Sequence, residues 1–125
     1  MEIEKIGSEI VDASIAVHRE LGPGLLESAY ESCLAFELSK RGLIVERQKE
    51  LPIRYQTHLV ETGYRLDLLI ENQIIIELKA VESILPIHKA QLITYLKLSD
   101  KRLGFLINFN VKLLKNGLSR IANEL

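Results

Sequence analysis

Cysteine occurs once in the 125 residues, at Cys33. That excludes an intramolecular disulfide and any multi-cysteine zinc site, and it fits a reducing compartment, with Cys33 read as a core thiol on a helix. Long apolar runs are missing as well. The chain never approaches ~18 uninterrupted apolar residues, and its first residues, Met1 to Asp12, carry acids among the apolar side chains. A membrane span is therefore not expected, and a cytoplasmic location is. Nor does one sign of charge dominate: 16 Lys and Arg against 17 Asp and Glu give a net charge of -1. A dedicated nucleic-acid binder is often strongly basic, so the scattered bases, among them Lys40, Arg41, Arg47, Lys49 and Arg54, would have to gather in space to serve that role. Internal repeats, low-complexity tracts and Pro/Gly/Ser linkers are absent too. Residues 1–125 thus read as one domain, and a hydrophobic share of 47% is enough for one core.

Among what is present, Ile3, Ile6, Ile10, Ala13, Val17 and Leu21 recur at steps of three or four, the stripe of an amphipathic helix ended by Gly22-Pro23-Gly24. A second helical pattern runs from about Leu25 to Arg41, with Gly42 where a C-terminal helix glycine belongs. The texture then turns to short segments rich in β-formers: Leu43 to Val45, Leu51 to Tyr55, Tyr64 to Ile70 and Ile74 to Lys79. Ile74-Ile75-Ile76-Glu77-Leu78 is nearly continuously apolar, so this strand should be central, covered on both faces. Pro86 opens a third helix to about Leu98, a strand follows over Leu103 to Asn108, and a short C-terminal helix is read near Leu118 to Asn123. The expectation is an α/β fold in which a mixed sheet is flanked by helices.

The sharpest local anomaly is the pair Glu77 and Lys79 in a segment otherwise fit only for a core. Residues two apart on a strand share a face, so a carboxylate and an amine project together. Asp67 repeats the anomaly inside Leu66-Asp67-Leu68-Leu69-Ile70, and Glu71-Asn72-Gln73 suggests a hairpin turn between the two runs. With Asn72 as midpoint, Asp67 and Glu77 lie directly opposite, their Cβ atoms roughly 4.5–5.5 Å apart on one face. Two like charges that close call for a cation between them. Hard oxygen ligands of this kind suit Mg²⁺, or Mn²⁺, and not zinc. Such an ion activates water and phosphodiester oxygens, and Lys79 is positioned to orient the water or steady developing negative charge. The bland alternative is an Asp–Lys–Glu ion-pair cluster at a sheet end; three charges concentrated in the most apolar part of the chain favour function, because isolated buried ion pairs stabilise little.

Asp67 followed by Glu77-Leu78-Lys79 resembles the Asp…(Asp/Glu)-x-Lys signature of the PD-(D/E)XK nuclease superfamily, and Gly24-Leu25-Leu26-Glu27-Ser28-Ala29-Tyr30 is similar to the motif of its GxxExxY family. The resemblance covers nearly the whole chain; the one departure is Leu66 where the superfamily name has proline. It implies a restriction-endonuclease-like fold, and Glu27 as a helical acid added to the metal set of Asp67 and Glu77. Tyr30, one turn on from Glu27, would hold that carboxylate or contact substrate; otherwise it is a core aromatic with its hydroxyl at the rim. Gln91 and Tyr95 are similar to the Gln-x-x-x-Tyr motif of RecB-like members, where they would orient Lys79 and contact substrate; the alternative is a solvated Gln91 and a Tyr95 packed under the sheet. His88, one turn before Gln91, is a candidate at the cleft edge, ahead of His58 and beside His18; no two histidines have metal-ligand spacing.

The function so implied is Mg²⁺- or Mn²⁺-dependent hydrolysis of DNA, with a homodimer suggested by the small size. Two alternatives stay open: a dormant nuclease-fold module that binds nucleic acid or protein, and a hydrolase of a smaller phosphate-containing substrate.

Overall fold

The computed structural model describes residues 1–61 and 63–125. Helices α1 (Ile3–Leu21) and α2 (Glu27–Lys40) come first, followed by strands β1 (Val45–Glu50), β2 (Ile53–Tyr55), β3 (His58–Val60), β4 (Arg65–Ile70) and β5 (Ile74–Lys79). Helix α3 (Pro86–Ser99), β6 (Leu103–Asn108) and β7 (Leu118–Ala122) complete the chain. The main sheet has the order β1-β4-β5-β6-β7, and β2 and β3 form a separate hairpin. Among the described residues only the β5–β6 pair is parallel, the crossover being made by α3. This is the mixed α/β architecture of a restriction-endonuclease-like fold.

Strand β5 is central, and its burial explains its composition. Ile74, Ile76 and Leu78 pack with α1 and α2, in a core with Ile6, Ile10 and Leu34. Ile75, one residue out of phase, packs instead with Leu92, Tyr95 and Leu96 of α3. A strand covered on both faces has no place for a polar residue without a partner. Glu77 and Lys79 share the α3-facing phase with Ile75.

Some boundaries differ from the sequence reading. Leu43 does not begin a strand. Gly42 takes φ 87°, and the Gly42 and Leu43 amides bond back to the Ser39 and Leu38 carbonyls at 3.0 and 3.2 Å, so Leu43 closes α2 in a Schellman turn. Leu51 and Pro52 also lie outside β2. The C-terminal segment, expected as a helix, is β7, antiparallel to β6 with Leu118 opposite Ile107 and Ala122 opposite Leu103. The unpaired edge of β6 outweighs a weak local helical pattern.

The turn into β7 is tight. A Cβ added to Gly117 would lie 2.1 Å from the Asn108 carbonyl oxygen, which is backbone and cannot yield. Gly117→Ala should therefore cost about 2–4 kcal/mol, read as a lower urea midpoint with unchanged slope; wild-type stability would contradict this packing.

Candidate active site

The β4–β5 turn builds the site. Glu71 and Asn72 both adopt positive φ, 53° and 54°, and the Gln73 amide bonds the Ile70 carbonyl at 2.9 Å, the geometry of a type I′ hairpin turn. The resulting register pairs Ile70 with Ile74 and Leu68 with Ile76. Its next step brings Asp67 against Glu77. Here side chains replace the ladder: the Asp67 amide donates to Glu77 Oε1 at 3.3 Å, and the Leu78 amide donates to Asp67 Oδ2 at 2.8 Å. Each carboxylate is thus fixed by the other strand's backbone.

Glu77 is only 6% exposed. Burial, with the charge of Asp67 adding to it, pushes its carboxyl up to about 9. Asp67 is also raised, chiefly by burial, while the bond from the Leu78 amide works the other way. Lys79, half-buried at the end of β5, offsets part of the rise at both acids. Glu27, at the first turn of α2, is exposed as a residue, but neighbouring atoms partly desolvate its carboxyl; that desolvation and the charge of Asp67 raise it, and Lys79 lowers it. The sheet end therefore gathers three acids and one ammonium within electrostatic reach. Among the described residues, no three Asp, Glu, His or Cys side chains converge as a ready metal cage.

A family model described as the PD-(D/E)XK nuclease superfamily matches residues 4–121. The chain belongs to the PD-(D/E)XK nuclease superfamily. No curated protein and no solved structure matches it. Nuclease-type phosphodiester hydrolysis with divalent metals is the general chemistry of this superfamily. The hard oxygen donors of Asp67 and Glu77 fit such an ion, because a divalent cation between them would replace the proton that burial forces onto Glu77.

The other residues singled out in the sequence fall into distinct places. Tyr30 is fully buried, stacked on Phe109 with ring centroids 4.6 Å apart. Its hydroxyl donates to the Gly22 carbonyl at 2.6 Å and accepts from the Leu25 amide at 3.1 Å. A side chain so enclosed presents no surface to a substrate; it ties the loop before α2 to the core, and so sets where Glu27 starts. Gln91 Nε2 donates to the Tyr95 hydroxyl at 2.9 Å. Among the described residues neither is hydrogen-bonded to Lys79, contrary to the expected orienting role. Tyr95 does approach the acids: burial, then the charge of Glu77, raises its hydroxyl. His88 Nδ1 accepts the Leu85 amide at 3.0 Å and caps α3. His18 is buried elsewhere, with Nε2 2.7 Å from the Val111 carbonyl oxygen.

Two supports escaped the sequence reading. Glu31, one turn past Glu27, is buried, and it accepts from Arg47 Nη2 at 3.1 Å and from Gln48 Nε2 at 2.6 Å. Gln48 has φ 51° at the β1 position facing Asp67. Charge from Glu31 reaches both Asp67 and Glu27. Asn108, 2% exposed, accepts the Val81 amide at 3.1 Å and donates to the Val81 carbonyl at 2.9 Å. That pair pins the chain just after Lys79. No helix among the described residues is long and apolar enough to cross a membrane.

The elevated Glu77 carboxyl has a signed consequence for stability. Unfolded, the group loses its proton near the ordinary value of 4.5; folded, it keeps it to about 9. The metal-free fold should therefore lose stability as pH rises through this window, and none of this loss applies below it. Glu77→Gln, measured by thermal unfolding in chelator, should be more stable than wild type at pH 8 by on the order of 2 kcal/mol, with no difference near pH 4. An equal deficit at both pH values would show that Glu77 is an ordinary structural acid.

Proposed function

We propose that the chain is a divalent-metal-dependent nuclease that hydrolyses phosphodiester bonds in DNA. The observation that carries this reading is the reciprocal bonding of Asp67 and Glu77 across the hairpin, two carboxylates held at one point in an apolar wall with Lys79 beside them. Asp67 and Glu77 would hold Mg²⁺ or Mn²⁺, with Glu27 reaching the site from the start of α2. When bound, such an ion polarises the phosphodiester and lowers the pKa of an attacking water.

The chain's own residues do the rest. Lys79 supplies positive charge where negative charge accumulates on the phosphate oxygens. Asp67 is kept in place by the Leu78 amide, so its orientation does not depend on substrate. Tyr95, hydrogen-bonded by Gln91, packs against Ile75 on the face of β5 that also carries Glu77. A homodimer would enlarge the surface that a chain of 125 residues can offer to DNA.

A second reading, a nuclease-fold module that binds without cutting, is favoured by the lack, among the described residues, of a third converging ligand and by the net charge of -1. A cleavage assay on single-stranded and duplex DNA with Mg²⁺ and Mn²⁺ separates the two. Lys79→Ala should lower the cleavage rate about 10²–10³-fold with metal uptake retained, and Asp67→Ala should lose both. Cleavage by Lys79→Ala at the wild-type rate would remove this residue from the mechanism. Metal uptake without any cleavage by wild type would favour the binding module.

A further inference from the structure

On the α3 side of the sheet lies a second feature that hydrolysis alone does not use. A cavity of about 480 Å³ opens between α3 and the segments around β2 and the start of β4, walled by Ile53, Tyr64, Ile87 and Leu98. Gln91, His88, Thr94 and Tyr95 add polar groups to the same lining. Its size and its mix of apolar walls with a few polar atoms are those of a small-molecule site. The Tyr64 and Tyr95 rings meet edge to face, with centroids 6.2 Å apart at 61°. Tyr95 is 7% exposed, whereas Tyr64 is 43% exposed, so one ring is fixed and the other has a free face. A larger cavity, about 620 Å³, lies between α1 and α2 around Cys33 and Phe36, away from the acids, and nothing identifies its occupant.

We propose that the cavity beside α3 receives an unpaired nucleobase, so that DNA reaches Asp67 and Glu77 as a single strand and not as an intact duplex. The proposal rests on the nuclease reading and names its substrate class. Three observations support it. Tyr95 lines the cavity and packs in the same cluster as Ile75, two residues before Glu77 on the same face of β5, so a base seated there lies on the side of the sheet that carries Glu77. The free face of Tyr64 offers a stacking platform, and Gln91, His88 and Thr94 offer partners for a base edge, which a duplex keeps paired and stacked out of reach. Charge points the same way. Duplex binding draws most of its affinity from neutralising phosphates, and a chain with net charge -1 has little surplus for that. Base stacking supplies affinity without it.

Fluorescence anisotropy with labelled oligothymidylate, the same strand made abasic, and a duplex of equal length tests this, with calcium ions in place of magnesium to hold back cleavage. Wild type should bind the intact strand about 10-fold more tightly than the abasic strand or the duplex. Tyr64→Ala should remove most of that preference. Ile87→Glu, an exposed site in the first turn of α3 where an acid suits the helix N-terminus, should do the same without unfolding the protein. Equal binding of intact and abasic strands, or of strand and duplex, would overturn the proposal. So would a concentration-dependent dimer that Tyr64→Ala abolishes, which would give this face to a second copy. If duplex is cut in a metal-dependent way with no dependence on bases, this proposal falls and the nuclease reading stands; if no DNA binds and no Mg²⁺ is taken up, both fall.

Discussion

The molecule is organised around a pair of acids at one point of a sheet, Glu77 buried and Asp67 half-buried. The Asp67 amide bonds the Glu77 side chain, and the Leu78 amide bonds the Asp67 side chain, where two more backbone bonds would otherwise continue the β4–β5 ladder. This arrangement is costly in a metal-free protein, since burial and mutual repulsion force a proton onto Glu77. It persists because the register is not negotiable. A one-residue slip would turn Ile75 and Leu69 out of the α3 core and carry Ile74 and Ile76 away from α1 and α2. The apolar faces of β5 thus hold in place charges that would not choose to be there.

The surrounding elements serve the same point from several directions. The Schellman turn at Gly42 and the Tyr30 hydroxyl on the Gly22–Leu25 loop fix the two ends of α2. Between them, Glu31 clasps Arg47 and Gln48 of β1 next to Asp67, tying α2 to the edge of the sheet close to the site. Asn108 holds Val81 and so the chain that leaves Lys79, and β7 covers the far side of β6. Most of these partners are separated by many residues in the chain; they act by orientation, and Glu31 also by its charge on Asp67 and Glu27.

Much of this was legible in the sequence, for identifiable reasons. Charges at Asp67, Glu77 and Lys79 stood out because their neighbours are Ile and Leu, and a period of two around Asn72 was enough to oppose the first two. The central position of β5 followed from its unbroken apolar run. What could not be read depends on tertiary partners. Leu118 to Ala122 carries Ser and Arg and becomes a strand only because β6 offers an edge. Glu31 looks like any helical acid until Arg47 and Gln48 reach it. Gln91 and Tyr95 have the spacing of one helix face, but spacing could not say that they would bond each other and leave Lys79 alone. Tyr30 is ambiguous in the sequence between a site residue and a core aromatic; its full burial and its stacking on Phe109 place it in the core.

The most direct test of a metal site made by displacing a proton is titration calorimetry of Mn²⁺ and Mg²⁺ into wild type and Asp67→Ala, repeated at neutral pH in buffers of different ionisation enthalpy. The account predicts one binding event in wild type that releases about one proton, because Glu77 must give up the proton it holds to about 9, and no such event in Asp67→Ala. Binding without proton release, or identical binding in Asp67→Ala, would contradict it.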